Sequence, residues 1–356
     1  MAVYDFQRFK LLLVEDNNFI RRILEDMLRS FRFGHVTARA NGQEAIELIK
    51  GMRDNPETAS TAGLDLVVTD LLMAPINGLL LTRWLRTAKE SPSRFAPIIM
   101  LSGAADSDYV NSARDLGATE FLGKPFSAET VYKRILEVID YPRQFIATAN
   151  YFGPDRRRKQ IGPLGEEMRL TKQENITTVY SAAKVVKPKK GSADVWCFRL
   201  PNRLKEMAAG GMGGGEPGEM PTDLLEEAEA HLERAALDFT DWANNYLSQL
   251  AKLCAEVLAK EGRRNTYFEQ INLLAHELRG QGGTFGYPLI TIFGKMLYEC
   301  TGEGCREDDA AVDIVKAHID AMRAVLREKI GGDGGEIGRA LMEMLKEAVE
   351  KNAAAN

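Results

Sequence analysis

Between residues 10 and 140, short apolar runs alternate with stretches in which apolar side chains recur at helical spacing. Residues 10–14, 36–39, 64–69, 97–101 and 120–122 read as strands. Residues 18–31 carry Phe19, Ile20, Ile23, Leu24, Met27 and Leu28 on one helical face, and residues 42–50, 79–88, 108–116 and 128–139 are helical in the same way. Strands that alternate with helices form βαβ units, so the expected architecture is an α/β doubly wound parallel sheet with helices on both faces. Residues 51–63 are the one long connection.

The polar residues of this region gather at one place in the pattern. Glu15, Asp16, Asp70, Ser102 and Lys124 each stand at or just past the C-terminal end of a strand. In an open α/β sheet those ends line the ligand crevice. Three carboxylates meeting there repel one another, which suits a hard divalent cation such as Mg²⁺, held with water and a phosphoryl group. An ammonium and a hydroxyl nearby complete a cage for phosphoryl oxygens.

These features, LLLVEDN, LDLVVTDLLMAPING, IIMLSGA and FLGKPF, resemble the receiver domain of two-component signalling over residues 1–141. The resemblance implies a flavodoxin-like five-stranded sheet of order 2-1-3-4-5. It also implies that Asp70 is the nucleophile that forms an aspartyl phosphate. Asp16 and Asp70 would ligate Mg²⁺, with Glu15 acting through water and the Leu72 carbonyl contributing. Lys124 and Ser102 would bind the phosphoryl group, and Phe121 would be the aromatic switch that moves as Ser102 swings. Two departures stand out. Met73-Ala74-Pro75 replaces the usual Met-Pro, and Leu72 and Ala104, which would flank the phosphoryl group, are both apolar. Water is then poorly oriented there, and a long-lived acyl phosphate is expected.

The net charge of −5 hides a split. Residues 1–140 carry −2, residues 141–221 carry +6 and residues 222–356 carry −9. The middle block, residues 142–221, lacks periodicity and holds Arg156-Arg157-Arg158-Lys159, a Lys-Pro-Lys-Lys run and a glycine-rich stretch at 208–218. It reads as a long flexible linker. Val195-Trp196-Cys197-Phe198-Arg199-Leu200 is too apolar for an idle tether and is expected to dock on a domain. Basic runs bind nucleic acid or anionic lipid in some proteins. No helix-turn-helix pattern accompanies them here, so nucleic acid is not the expected partner.

From residue 222 strands disappear. Residues 222–260, 265–280, 288–300 and 309–329 read as four helices joined by short turns, hence a four-helix bundle over 222–330. Residues 331–356 form a tail with a loosely attached fifth helix at 336–351. On the second helix Phe268, Ile271, Leu274, Ala275 and Leu278 form the apolar stripe. His276 falls about 200° from Leu274 and Leu278, hence on the solvent face, with Arg279, Gly280 and Gly283 beside it. An imidazole is a competent phosphoryl carrier and Arg279 can stabilise the charge. Gly280, Gly282 and Gly283 call for close approach by another surface. The segment AHELRGQGGTFG resembles the signature of the histidine phosphotransfer (HPt) domain, over residues 223–330. His35, His231 and His318 read as surface residues.

The combined expectation is a phosphorelay protein carrying phosphoryl groups on Asp70 and His276. Its partners would be an upstream histidine kinase or phosphohistidine donor and a partner receiver domain. No glycine-rich ATP lid or asparagine box is present, so the chain reads as a phosphotransfer intermediate rather than a kinase. The alternative is a phosphorylation-controlled adaptor whose helical domain docks or dimerises with His276 unmodified. With 45% hydrophobic residues a sizeable core is affordable, and no apolar stretch is long enough to span a membrane. The N-terminus lacks a signal-peptide layout, which makes the cytoplasm the expected location. Four cysteines without a CxxC pattern read as free thiols.

Overall fold

The computed structural model describes residues 2–55, 63–102, 107–156, 175–182, 187–210, 216–259 and 264–354. The chain forms two compact units, Met1–Leu122 with Ala128–Glu229, and Gly123–Ser127 with Ala230–Asn356.

The first unit runs β1 (Ala2–Val3), β2 (Lys10–Val14), α1 (Asn18–Ser30), β3 (His35–Arg39), α2 (Gly42–Asp54), β4 (Leu66–Asp70), α3 (Gly78–Thr87), β5 (Ile98–Ser102), α4 (Ser107–Leu116), β6 (Glu120–Gly123) and α5 (Ala128–Asp140). Strands β2 to β6 make a five-stranded sheet in the order β3-β2-β4-β5-β6, the expected flavodoxin-like arrangement. Its pairing is parallel: Leu11 lies opposite Val36 on one side and Leu66 on the other, and Val67 opposite Ile98. Strands β4 and β5 are buried along their whole length, which is why they read as continuous apolar runs rather than alternating ones. Three strand-to-helix turns end in an asparagine cap. Asn17, Asn41 and Asn77 accept backbone N–H groups at the starts of α1, α2 and α3.

The block expected to be a flexible linker is folded over much of its described length. Strands β7 (Phe145–Ala147), β8 (Phe152–Pro154), β9 (Ile176–Val179) and β10 (Val195–Phe198) form a second sheet of order β8-β7-β10-β9. Phe145, Ala147, Phe152, Val179 and Phe198 make its core, so the docking expected of 195–200 takes the form of a strand. Phe95, between α3 and β5, plugs this core, its ring 5.1 Å from those of Phe145 and Phe152 and 5.2 Å from that of Phe198. Beneath lies Arg86, wholly buried, donating to the carbonyls of Arg94, Ala96 and Gly117 with the Phe145 ring 5.0 Å away. Strands of three or four residues whose partner is a distant phenylalanine leave no periodic trace, which is why the sheet escapes a sequence reading. Of the basic runs, residues 157–159 and 184–186 lie outside the described residues, as do residues 211–215.

Helix α6 (Arg203–Ala208) and β11 (Gly218–Glu219) close the unit, with β11 parallel to β1. Asp140, at the end of α5, accepts from Tyr4 Oη at 2.5 Å and Gly218 N at 2.9 Å and pairs with Lys205 at 3.1 Å.

The helices of the C-terminal region are α7 (Thr222–Ala259), α8 (Arg264–Gln281), α9 (Pro288–Cys300), α10 (Asp309–Arg327) and α11 (Gly335–Ala354). They agree with the five expected helices to within a few residues. α7 buries Phe239, Ala243, Leu247, Leu250, Cys254 and Val257, and Phe239 stacks on Phe285 at 4.9 Å. A 3₁₀ turn at Gly282–Phe285 ends on Gly286, whose φ of 84° suits glycine, and Pro288 then opens α9. All four cysteines are free. Among the described residues no helix is long and apolar enough to cross a membrane.

Candidate functional site

The ends of β2 and β4 bring Glu15, Asp16 and Asp70 together. One carboxylate oxygen from each lies within 4.8 Å of the others, with Glu15 and Asp70 buried and Asp16 exposed. Neighbouring backbone fixes these positions. Glu15 N donates to Arg39 O at 3.1 Å and Leu71 N to Leu101 O at 3.0 Å, so the site inherits the register of the sheet. Arg21, on the first turn of α1, donates to the carbonyls of Glu15 at 2.6 Å and Asp16 at 3.2 Å. The loop after Asp70 closes where Gly78 N meets Leu71 O at 3.0 Å. A Cβ on Gly78 would fall 2.1 Å from Asp70 O, so this approach admits only glycine.

Three anionic oxygens this close are mutually repulsive without a cation, and an all-oxygen donor set is the kind Mg²⁺ prefers. The residues present therefore fit the ion that the sequence calls for. Ser102 ends β5, beside β4, and is buried. Phe121 on β6 and Leu72 pack, half-buried, against Leu71, Met100, Ala113 and Ala118. Lys124 follows β6 and is buried. Ala74–Pro75, where the sequence departs from the usual loop, is a cis peptide. Ala104 lies outside the described residues.

On α8, His276 is 7% exposed and Arg279 6%, which corrects the expectation of a solvent-facing pair. Helix α9 supplies a physical reason. Gly294 sits so close to α8 that a Cβ there would be 2.6 Å from Arg279 N and 2.9 Å from its Cα. At that distance Tyr298 reaches over the helix. Its ring lies 4.2 Å from Arg279 Cζ and 5.6 Å from the His276 ring. Arg279 Nη2 stands 3.2 Å from His276 Nδ1. Gly282 is explained the same way, since a Cβ there would meet Ile290, Thr291 and Tyr287 at 2.7 Å. Sequence reading missed Tyr298, because a tyrosine on the next helix carries no motif.

The other histidines divide. His35 is exposed and His231 half-buried, whereas His318, expected at the surface, is wholly buried on α10. His318 Nδ1 lies 2.8 Å from Ile314 O, its Nε2 has no partner among the described residues, and burial holds its pKa below 6.5.

Residues 11–136 match the family model of the response regulator receiver domain. The chain is 32% identical over 178 residues to a probable transcriptional regulator ycf27 of Porphyridium aerugineum, across 47% of this chain and 68% of that relative. It is 31% identical over 174 residues to the 3',5'-cyclic-nucleotide phosphodiesterase regA of Dictyostelium discoideum, across 48% of this chain but 20% of that one. Among solved structures it is similar to the receiver domain of sensor histidine kinase PA1611 from Pseudomonas aeruginosa PAO1, which has a magnesium ion coordinated in its active-site cleft. That likeness has 29% identity and a TM-score of 0.30, and covers 36% of this chain and 94% of the other.

Proposed function

Since the chain belongs to the response-regulator receiver family, we propose that it is a phosphorelay protein with two carriers, Asp70 and His276. The observation that carries the reading is the cluster of Glu15, Asp16 and Asp70 at the C-terminal ends of parallel strands. Asp70 attacks the phosphorus of a phosphohistidine on an upstream histidine kinase or other donor. A P–O bond forms as the P–N bond breaks, and the imidazole leaves with the electron pair and takes a proton. Asp16 and Asp70 would hold Mg²⁺, with Glu15 assisting through water and the Leu72 carbonyl contributing, and the bound ion would supply positive charge for the phosphoryl oxygens. Ser102 and Lys124 bind those oxygens, and Phe121 follows Ser102 as the switch.

Helices α7 to α10 are read as the four-helix bundle of an HPt module, with α11 an addition to it. His276 exchanges a phosphoryl group with an aspartate, in cis or on a partner receiver. A second reading is favoured by the burial of His276: an adaptor in which only Asp70 is modified and the helices dock or dimerise. Transfer from a phosphorylated donor to wild type, Asp70→Ala and His276→Ala separates the two. Label that survives alkali and disappears in His276→Ala marks a phosphohistidine. Label that is wholly alkali-labile and unchanged in His276→Ala leaves the adaptor.

A further inference from the structure

The arrangement around His276 has a consequence for its reactivity, and it deepens the relay reading on which its role in transfer rests. A guanidinium has N–H groups only and accepts nothing. The 3.2 Å contact between Arg279 Nη2 and His276 Nδ1 is therefore a hydrogen bond in which arginine donates and Nδ1 supplies the lone pair. A neutral imidazole has one N–H and one lone pair, so its proton sits on Nε2. We infer that Arg279 is a positioning residue that locks His276 in the Nε2–H tautomer, a resting form in which neither ring nitrogen offers a lone pair to phosphorus.

The lock is built from packing. Tyr298 stacks its ring 4.2 Å from the Arg279 guanidinium, and the glycine at 294 lets α9 come close enough for this. Asn272, one turn before His276, donates to Tyr298 O at 2.8 Å and to Thr301 Oγ1 at 3.1 Å, which fixes the end of α9 against α8. Arg279 Nε is buried with no partner among the described residues, so the guanidinium retains an unmet donor that an incoming anion would satisfy. Release follows from the same chemistry. When the guanidinium turns to the oxygens of a phosphoryl group, Nδ1 regains its lone pair, and the ring can pass its proton through water to either nitrogen. The bare nitrogen forms the N–P bond as the P–O bond to the donor aspartate breaks, the electron pair staying on that carboxylate. Arg279 is thus both the brake and the group that detects the phosphoryl donor.

His318 provides an internal reference. Its Nδ1 faces a carbonyl, which only accepts, so its proton is on Nδ1 and it holds the opposite tautomer. The test is long-range ¹H–¹⁵N correlation of the full chain with labelled histidine above pH 8, with His276→Gln and His318→Gln assigning the two rings. Wild type should show Nε2–H for His276 and Nδ1–H for His318. Arg279→Met should bring the Nδ1–H form into the His276 average and leave His318 unmoved. Arg279→Lys, which also only donates, should keep the wild-type pattern. Diethyl pyrocarbonate should modify His276 about tenfold faster in Arg279→Met, the size of one lost hydrogen bond to a charged group. An Nδ1–H form of His276 in wild type, or no change in its nitrogen shifts in Arg279→Met, overturns the inference. A locked ring that takes no label in the transfer assay overturns the relay reading alone.

Discussion

Asp70 and His276 occupy opposite electrostatic settings. Asp70 stands in a cluster of carboxylates, with Glu15 and Asp16 beside it. His276 stands beside a buried guanidinium. The first setting favours a cation and the second an anion. The supports differ as well. The acidic site is held by main-chain hydrogen bonds that follow the sheet register, whereas the histidine site is held by the side chain of Tyr298 on the adjacent helix. A backbone-built site should tolerate side-chain changes around it, and a packing-built one should not.

The comparison breaks most decisively at Asp70. Asp70→Asn should abolish alkali-labile label completely while leaving the fold intact by circular dichroism, and retention of that label would move the acceptor elsewhere. Next in size are the two glycines at the close approaches. Gly78→Ala drives a Cβ into Asp70 O and Gly294→Ala drives one into Arg279 N, each expected to cost about 2–3 kcal/mol in urea unfolding. Gly294→Ala should also alter His276 reactivity, whereas Tyr298→Leu should do so with a smaller stability loss. A Tyr298→Leu protein with wild-type His276 reactivity would remove the packing half of the contrast.

Smaller effects follow from charge. Asp16→Asn should weaken Mg²⁺ binding about tenfold by titration calorimetry. In metal-free protein the same change relieves repulsion and should raise Tm by about 2 °C. A lower Tm would mean that the cluster is not frustrated. The mildest effect concerns His318. Burial lowers its folded pKa below 6.5, so the unfolded chain binds more protons in the window beneath that value. Stability therefore falls as pH drops through 6.5, by at most about 1.4 kcal/mol per pH unit, and levels off below the folded pKa. His318→Leu should flatten that part of the stability profile.

The alternation of apolar runs with helical stretches made the receiver legible, because parallel strands buried on both faces write themselves as unbroken Val, Ile and Leu. The cluster of Glu15, Asp16 and Asp70 was legible because polar residues at strand ends stand out against such runs. The helices of the C-terminal region were legible from spacing alone. The sheet of β7 to β10 was not, since Phe95 and Arg86, which hold it, lie far from it in sequence. The burial of His276 was hidden for a related reason. Helical periodicity places a residue on a face but is silent on what neighbouring segments lay over that face, of which Tyr298 beside His276 and Arg279 is one.

The pairing of β1 with β11 bears on the order in which the chain can mature. Ala2 lies against Gly218, and Tyr4 reaches the Asp140 that also binds Gly218 N. A ribosome releases the whole five-stranded sheet before Gly218 exists, and that sheet closes through contacts near in sequence. The first residues of the chain must then wait for a strand made much later. Their amide protons should gain protection from hydrogen exchange last during refolding, well after those of β4 and β5.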